Sequence, residues 1–307
     1  MTAIKLYNDY NSYLRSRYGC KVYRIGLDAG FSCPNRDGTI GRGGCIYCGP
    51  DGSRAAYADP EISVEEQLSA RINHLKKTCG ARFFIAYFQA FTNTHAPAIR
   101  LKEIYDKILN FKDIVGISIG TRPDSVDDEK LSLIASYMDR YDTWIEYGLQ
   151  SIHDRTLSYI GRGHCQADFI RAVESAKRYG IKVCAHAILG LPVETREDMQ
   201  KTAGKLTELK VDGIKIHVLH VLKGSRLEKL YRSGEVKMLG QDEYADLACD
   251  FLERLSPDII IHRMTGQGNR LDHVAPDWAL DKTNTIGKIH EELRRRGSYQ
   301  GSKMGGP

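Results

Sequence analysis

No apolar run in the 307-residue chain is long enough to span a bilayer. The first nineteen residues, MTAIKLYNDYNSYLRSRYG, lack the apolar core of a secretion signal. Internal repeats and low-complexity blocks are missing too. These absences argue against membrane-spanning, exported and repeat architectures, and the expectation is a cytoplasmic protein with no membrane partner. Proline is modest at 9 residues against 29 glycines, which suits many tight strand–helix connections. Charge of neither sign dominates: 44 Lys and Arg stand against 39 Asp and Glu, a net +5 that permits a polyanionic partner without demanding one. A second C-x-x-C is also absent, because Cys20, Cys79, Cys165, Cys184 and Cys249 form no pair at that spacing.

A hydrophobic content of 42% is enough for a sizeable core. Apolar, β-branched runs at 21–30, 82–89, 113–120, 142–150, 181–190 and 211–221 read as strands. Helical periodicity fills the intervals at 63–78, 95–111, 127–141, 166–180 and 195–210. Ser63 followed by Glu66 has the spacing of a capping box. About six β-α units imply a parallel sheet with helices outside. The strands are mostly apolar, as strands covered on both faces are. An α/β barrel, closed or partial, and an open doubly wound sheet both fit, and either puts function at the C-terminal strand ends. Gln89, Thr121, Glu146, Gln150, His186 and His217 gather there. Beyond residue 222 the pattern loosens, with one more strand at 257–266 and a terminal helix at 283–297. The division expected is a barrel core over 1–222 and a C-terminal extension packed on it over 223–307.

The stretch GFSCPNRDGTIGRGGCIYCGP holds Cys33, Cys45 and Cys48 among six glycines. C-x-x-C alone serves zinc sites, redox pairs and iron–sulfur clusters. A closed zinc site would want a fourth ligand. A thioredoxin-like pair would open a helix rather than sit among glycines. Three thiolates on a loop after the first strand suit a cubane cluster with one iron left open, and the glycines let backbone wrap a bulky inorganic core. Zinc, iron–sulfur and plain buried thiols all remain open on spacing alone.

CPNRDGTIGRGGCIYC resembles the cluster loop of radical S-adenosylmethionine (SAM) enzymes. GTRPDS (120–125), IEYGLQSIHDRTLSYIGRGH (145–164), HAILGLPVETRED (186–198) and IHVLHVLKGSRLEKLY (216–231) resemble the elongator-type and coproporphyrinogen-oxidase-type branch. DAGFSCPNRDGTIGRGGCIYC, YFQAFTNTHAP, IGTRPDS and LDHVAPDW together resemble the YtqA/YhcC-like (MnmL-type) group. The resemblance spans roughly residues 4 to 298. It implies a partial (β/α)6 barrel, a [4Fe-4S] cluster on Cys33, Cys45 and Cys48, and SAM on the open iron. It also implies an external electron donor such as flavodoxin or ferredoxin. Reductive SAM cleavage would yield a 5′-deoxyadenosyl radical that abstracts hydrogen from substrate, the cofactor carrying the chemistry and the protein orienting it.

By motif position, Tyr47 would lie near the adenine, flanked by Ile188 and Leu191. Gln89, with Thr92 and Asn93, replaces the GGE turn that meets the SAM amino group in many relatives. Thr121 and Asp124 lie in the TRPD segment, where Gly120 stands in place of a glutamate, so a ribose contact from that position is lost or supplied elsewhere, with Glu146 the candidate. Gln150 and Ser151 form the GLQS turn, and Arg162 would pair with the methionine carboxylate. For the YtqA/YhcC-like group the resemblance implies wobble-uridine modification of tRNA, from carboxymethylaminomethyl(thio)uridine to aminomethyl(thio)uridine, with a tRNA methyltransferase acting downstream. Hydrogen abstraction between amine and carboxylate, loss of a second electron and imine hydrolysis would release glyoxylate. Arg263 or Lys223 is the candidate grip on the carboxylate. Arg36, Arg42, Lys223 and Arg226 read as phosphate contacts or solvated charges, ELRRRG (292–297) as a phosphate contact or a favourably charged helix end, and His217 as a satisfied core histidine. The alternatives are a radical SAM enzyme on a small molecule and, from another class, a zinc-stabilised scaffold.

Overall fold

The computed structural model describes residues 5–266 and 271–304. Helix α1 (Tyr10–Tyr18) leads into β1 (Val22–Leu27), and the cysteine loop follows before α2 (Val64–Cys79). Then come β2 (Phe83–Phe88), α3 (Ala98–Tyr105), β3 (Ile114–Thr121), α4 (Asp128–Ala135) and β4 (Asp142–Gln150). The second half runs α5 (Asp154–Tyr159), α6 (Gln166–Arg178), β5 (Lys182–Leu189), α7 (Arg196–Glu208) and β6 (Gly213–Val218). The chain ends with β7 (Val221–Leu222), α8 (Arg226–Arg232), α9 (Gln241–Arg254), β8 (Ile260–Arg263), β9 (His273–Ala275) and α10 (Lys282–Arg295).

β1 to β6 pair in parallel in chain order, and β8 adds a seventh parallel strand beside β6. The sheet curls into a partial barrel. β4 is buried at all nine positions, which is what two covered faces require. Its alternation sorts the faces: Ile145 and Tyr147 join the main core under the helices, while Trp144 and Glu146 point into the lumen. Ser63 caps α2 through the reciprocal bonds its spacing predicts, Ser63 N to Glu66 Oε2 at 2.9 Å and Glu66 N to Ser63 Oγ at 3.2 Å.

Where the sheet stays open, the N-terminal segment lies between its edges. Ile261 N donates to Asn8 O at 2.7 Å. Tyr10 then stacks on His262 with ring centroids 3.8 Å apart and meets Trp144 edge-on. With Leu14, Val22 and Ile85 these rings plug the N-terminal end of the barrel, so a substrate enters from the other end. Residues of α9 and α10 share the main core with the strands. Arg296 ties those two helices together through Asp246, Asp250, Glu253 and Glu292. Among the described residues no helix is long and apolar enough to cross a membrane.

Candidate active site

The cysteine loop leaves the C-terminal end of β1 and is held by its own polar groups. Cys33 O accepts from Arg36 N at 2.7 Å, and Asn35 O from Gly44 N at 2.8 Å. Gly44 has φ +71°, and a Cβ there would stand 2.9 Å from Arg36 Nε, so the position requires glycine twice over. Arg36 reaches over the loop to the carbonyls of Cys48, Gly49 and Pro50, and Arg226 to that of Gly44. Two arginines open to a phosphate role on sequence are therefore pins of the loop. Arg42 and Lys223 are exposed.

The three thiols lie close enough to influence one another: Cys45 and Cys33 both oppose ionisation of Cys48, whose pKa burial raises. Cys45 differs. Burial opposes its ionisation, but the Arg162 guanidinium, 3.5 Å away through Nη1, and a hydrogen bond from Tyr47 hold the thiol below its usual range. Asn35 Nδ2 adds a contact to Cys45 Sγ at 3.7 Å. Three free thiols on one glycine-rich loop, with donors and a buried cation aimed at sulfur, suit an anionic thiolate-bound cluster. Above the lumen, three strands carry inward-facing glycines two residues beyond a lumen side chain: Gly26 after Arg24, Gly120 after Ser118, Gly148 after Glu146. Protein closes in on each of them: an added Cβ would stand 3.0 Å from Gln89 Oε1 at Gly26, 3.1 Å from Phe88 O at Gly120 and 2.5 Å from Arg162 Nη2 at Gly148.

The predicted SAM contacts converge on this rim, mostly with their polar atoms engaged by protein. Gln89 donates to Ser53 O at 2.6 Å. Thr121 Oγ1 lies 2.6 Å from Thr94 Oγ1. Asp124 accepts both prongs of Arg122, and Ser151 donates to Glu194. Gln150 sits at φ +77° beside Gly148. Arg162 spends Nε and Nη2 on Gly148 O as well as Nη1 on Cys45, so its guanidinium is committed to the cluster side of the site. Ile188, Leu191 and Tyr47 pack in one apolar cluster with Ile46 and Leu219. Leu191 also walls an open cavity outside the lumen, between Tyr159, Val193, Val236 and Leu239.

Deeper in the barrel lies a charge network that sequence reasoning found only in part. Glu146 accepts from Arg24 on one oxygen and from Lys215 and His186 on the other. Burial alone would raise its pKa, but Arg24 and Lys215 hold it well below the usual carboxylate range. A ribose contact from Glu146 would have to compete with these partners. The single carboxylate does not satisfy all of its cations: burial, with Arg24 adding to it, pushes Lys215 down to about 7, and burial pushes His186 down to about 4. Cys184 completes a trio with Glu146 and His186 whose ligand atoms lie within 4.8 Å. Lys215 and Arg24 already neutralise that carboxylate, so a metal cation there would be repelled. Arg24 and Lys215 were missed. A lysine in the otherwise apolar VDGIKIHVLHV was the available signal, because an unpaired lysine is almost never buried.

Arg263, at the end of β8, pairs with Lys215 in register and faces the same lumen. No carboxylate or hydrogen-bond partner meets it among the described residues. Lys223, the other candidate grip, is exposed on the segment directly after β7. His217 corrects an expectation: among the described residues its imidazole has no hydrogen bond, so it is not a satisfied core histidine. It follows Lys215 by two residues on β6 and so shares its inward face.

The description "Radical SAM superfamily" matches residues 36–206, and "Radical_SAM C-terminal domain" matches residues 211–295. YtqA of Bacillus subtilis is 42% identical over 297 residues, covering 97% of this chain and 92% of that protein. The tRNA uridine(34) acetyltransferase of Methanocaldococcus jannaschii is 29% identical over 136 residues, 43% of this chain and 25% of that one. Among solved structures, the Methanocaldococcus infernus Elp3 lacking its N-terminus superposes with a TM-score of 0.69 at 19% identity, over 91% of this chain and 64% of that chain, a likeness of fold. The [4Fe-4S] cluster and SAM that this membership brings displace the zinc-scaffold reading. The chain belongs to the radical SAM superfamily, close to the YtqA and YhcC proteins.

Proposed function

We propose that the chain modifies the wobble uridine of tRNA, taking carboxymethylaminomethyl(thio)uridine to aminomethyl(thio)uridine and releasing glyoxylate. A flavodoxin or ferredoxin would supply the electron, and a tRNA methyltransferase would act on the amine product. The partial sequence similarity to a tRNA uridine(34) acetyltransferase supports the substrate class. The observation that carries the reading is Arg263. Arg263 is half-buried at the lumen, and among the described residues no carboxylate lies within hydrogen-bond reach of it, so its donor fork is free to take an anion. In the lumen Arg24 and Arg263 alone outnumber Glu146, the one carboxylate there among the described residues, a cationic excess that suits a substrate ending in a carboxylate.

When bound at Cys33, Cys45 and Cys48, the cluster with SAM would supply the radical that removes a hydrogen atom from the carbon between amine and carboxylate. The rest falls to this chain. Cys33, Cys45 and Cys48 hold the cluster, with Arg162 and Tyr47 favouring the Cys45 thiolate. Arg263 grips the carboxylate with its planar donor fork and so fixes the neighbouring carbon. The plug of Tyr10, Trp144 and His262 closes the lumen to water from below. The test is anaerobic incubation of cluster-loaded protein with SAM, reductant and tRNA carrying the carboxymethylaminomethyl group. Mass analysis of the nucleosides and small molecules should find aminomethyluridine and glyoxylate in equal amounts, and a product mixture without glyoxylate rules out this route.

A further inference from the structure

Besides His262, whose two ring nitrogens are buried without a partner in the plug, two partly exposed lumen side chains have no hydrogen-bond partner among the described residues. Arg24, Lys215 and His186 all bond Glu146. Asp124 is taken by Arg122, and Arg162 by Gly148 O and Cys45. Arg263 and His217 have no such partner among the described residues. His217 is only half-buried, so its unpartnered imidazole is open to water or a ligand at the reaction site, whereas the bare nitrogens of His262 are shut inside the plug. Register places His217 opposite Ile188, one pleat closer to the cluster rim than the His186–Lys215 pair. Its ring centroid is 5.3 Å from that of His186.

We propose that His217 is the catalytic proton-transfer residue for the hydrolytic half of the reaction. This rests on the function proposed above. Loss of a hydrogen atom from R–NH–CH2–COO⁻, and of one further electron to the oxidised cluster, leaves the iminium R–NH⁺=CH–COO⁻. Water then adds to its carbon: the C–O bond forms, an O–H bond breaks, and His217 takes the proton. The same proton passes to nitrogen as the C–N bond breaks with its electron pair going to nitrogen. The hydroxyl proton leaves to water, so the products are R–NH2, glyoxylate and one proton.

The surroundings fit that task. Burial is the main influence on the His217 imidazole and favours its neutral form. His186 on β5, Arg263 on β8, Lys215 on β6 and His220 beyond β6 all act in the same direction. Neutral imidazole can accept the proton of water. A substrate carboxylate on Arg263 cancels part of that positive field and makes the ring more basic only once substrate is bound.

The experiment uses the cluster-loaded enzyme with SAM, reductant and carboxymethylaminomethyl-tRNA, wild type beside His217→Gln, with iron content and circular dichroism compared first. Glutamine keeps hydrogen-bonding capacity and removes the titration. The expected result is that His217→Gln still forms 5′-deoxyadenosine in a first turnover while aminomethyluridine falls by roughly 10²-fold. Quenching with borodeuteride should then return deuterium to the substrate carbon in the variant, because the unhydrolysed imine accumulates, and added imidazole should restore product in His217→Ala. A ratio of aminomethyluridine to 5′-deoxyadenosine equal to that of wild type overturns the proposal. Loss of both products together does so too, since it assigns His217 to positioning. If the wild type itself makes no aminomethyluridine, the proposed function fails and this role with it.

Discussion

Arg162 joins the cluster loop to the sheet: one prong meets Cys45 sulfur and two atoms meet the carbonyl of Gly148. A positive charge and a donor at sulfur favour the extra electron of a reduced cluster. Arg162→Gln should therefore lower the midpoint potential, by on the order of 60 mV for a tenfold loss of reduced-state stability on the one-electron scale. An anaerobic redox titration followed by electron paramagnetic resonance reads it, and an unchanged potential would mean that the guanidinium only braces the loop. Glu146 presents the opposite balance. Its removal strands Arg24 and Lys215 in the lumen, and breaking a buried ion pair from one side costs about 3–5 kcal/mol. Glu146→Ala should thus unfold at markedly lower denaturant concentration than wild type. A small change would show that water reaches these cations freely.

Elements were more legible than their ends. The strands beginning near Val22, Phe83, Ile114, Asp142 and Lys182 follow apolar runs that a parallel sheet buries on both faces. The run 211–221 was read as one strand, yet it breaks after Val218 and resumes as β7, which pairs antiparallel with β9. Composition cannot show that break, because His217–Val221 stays apolar or aromatic on both sides of it. The helix expected at 95–111 tightens into a 3-10 turn at Asp106–Asn110, and the one at 127–141 ends at Ala135. Helix α9 was overlooked although Tyr244, Leu247, Ala248, Phe251 and Leu252 are spaced for one buried face. Within the site, the cysteine loop was plain from spacing. The Glu146 network was not, since its members come from β1, β4, β5 and β6 and meet only when the sheet curls. The end of β4 gives a test at this scale. A Cβ on Gly148 would stand 2.5 Å from Arg162 Nη2 and 2.9 Å from Gln150 Nε2. Gly148→Ala should keep the fold and the iron but lose most SAM cleavage, read as 5′-deoxyadenosine. Cleavage at the wild-type rate would mean the guanidinium can move aside without consequence.

At the scale of the whole molecule, the closed and open ends of the barrel set where a large substrate can sit. α1 blocks the N-terminal end with Tyr10 against His262 and Trp144, so the proposed tRNA substrate would have to enter past the cluster loop and the segment after β7. Those two stretches carry the exposed cations Arg42 and Lys223. A net charge of +5 is too small for a uniform electrostatic footprint, so phosphate contacts should be few and local. Each lost contact reduces the dependence of binding on salt by about one unit of slope. Arg42→Glu and Lys223→Glu should each weaken tRNA binding more at low salt than at high salt and flatten that slope, while SAM cleavage without tRNA stays unchanged. Comparable charge reversals at Lys76 and Arg100, on the outer helices α2 and α3, should leave the slope as it is. Filter binding across a salt series distinguishes the two faces. Equal slopes for the mouth and the outer-helix variants would move the nucleic acid off the barrel mouth and, with it, the lumen carboxylate site out of reach of a wobble base.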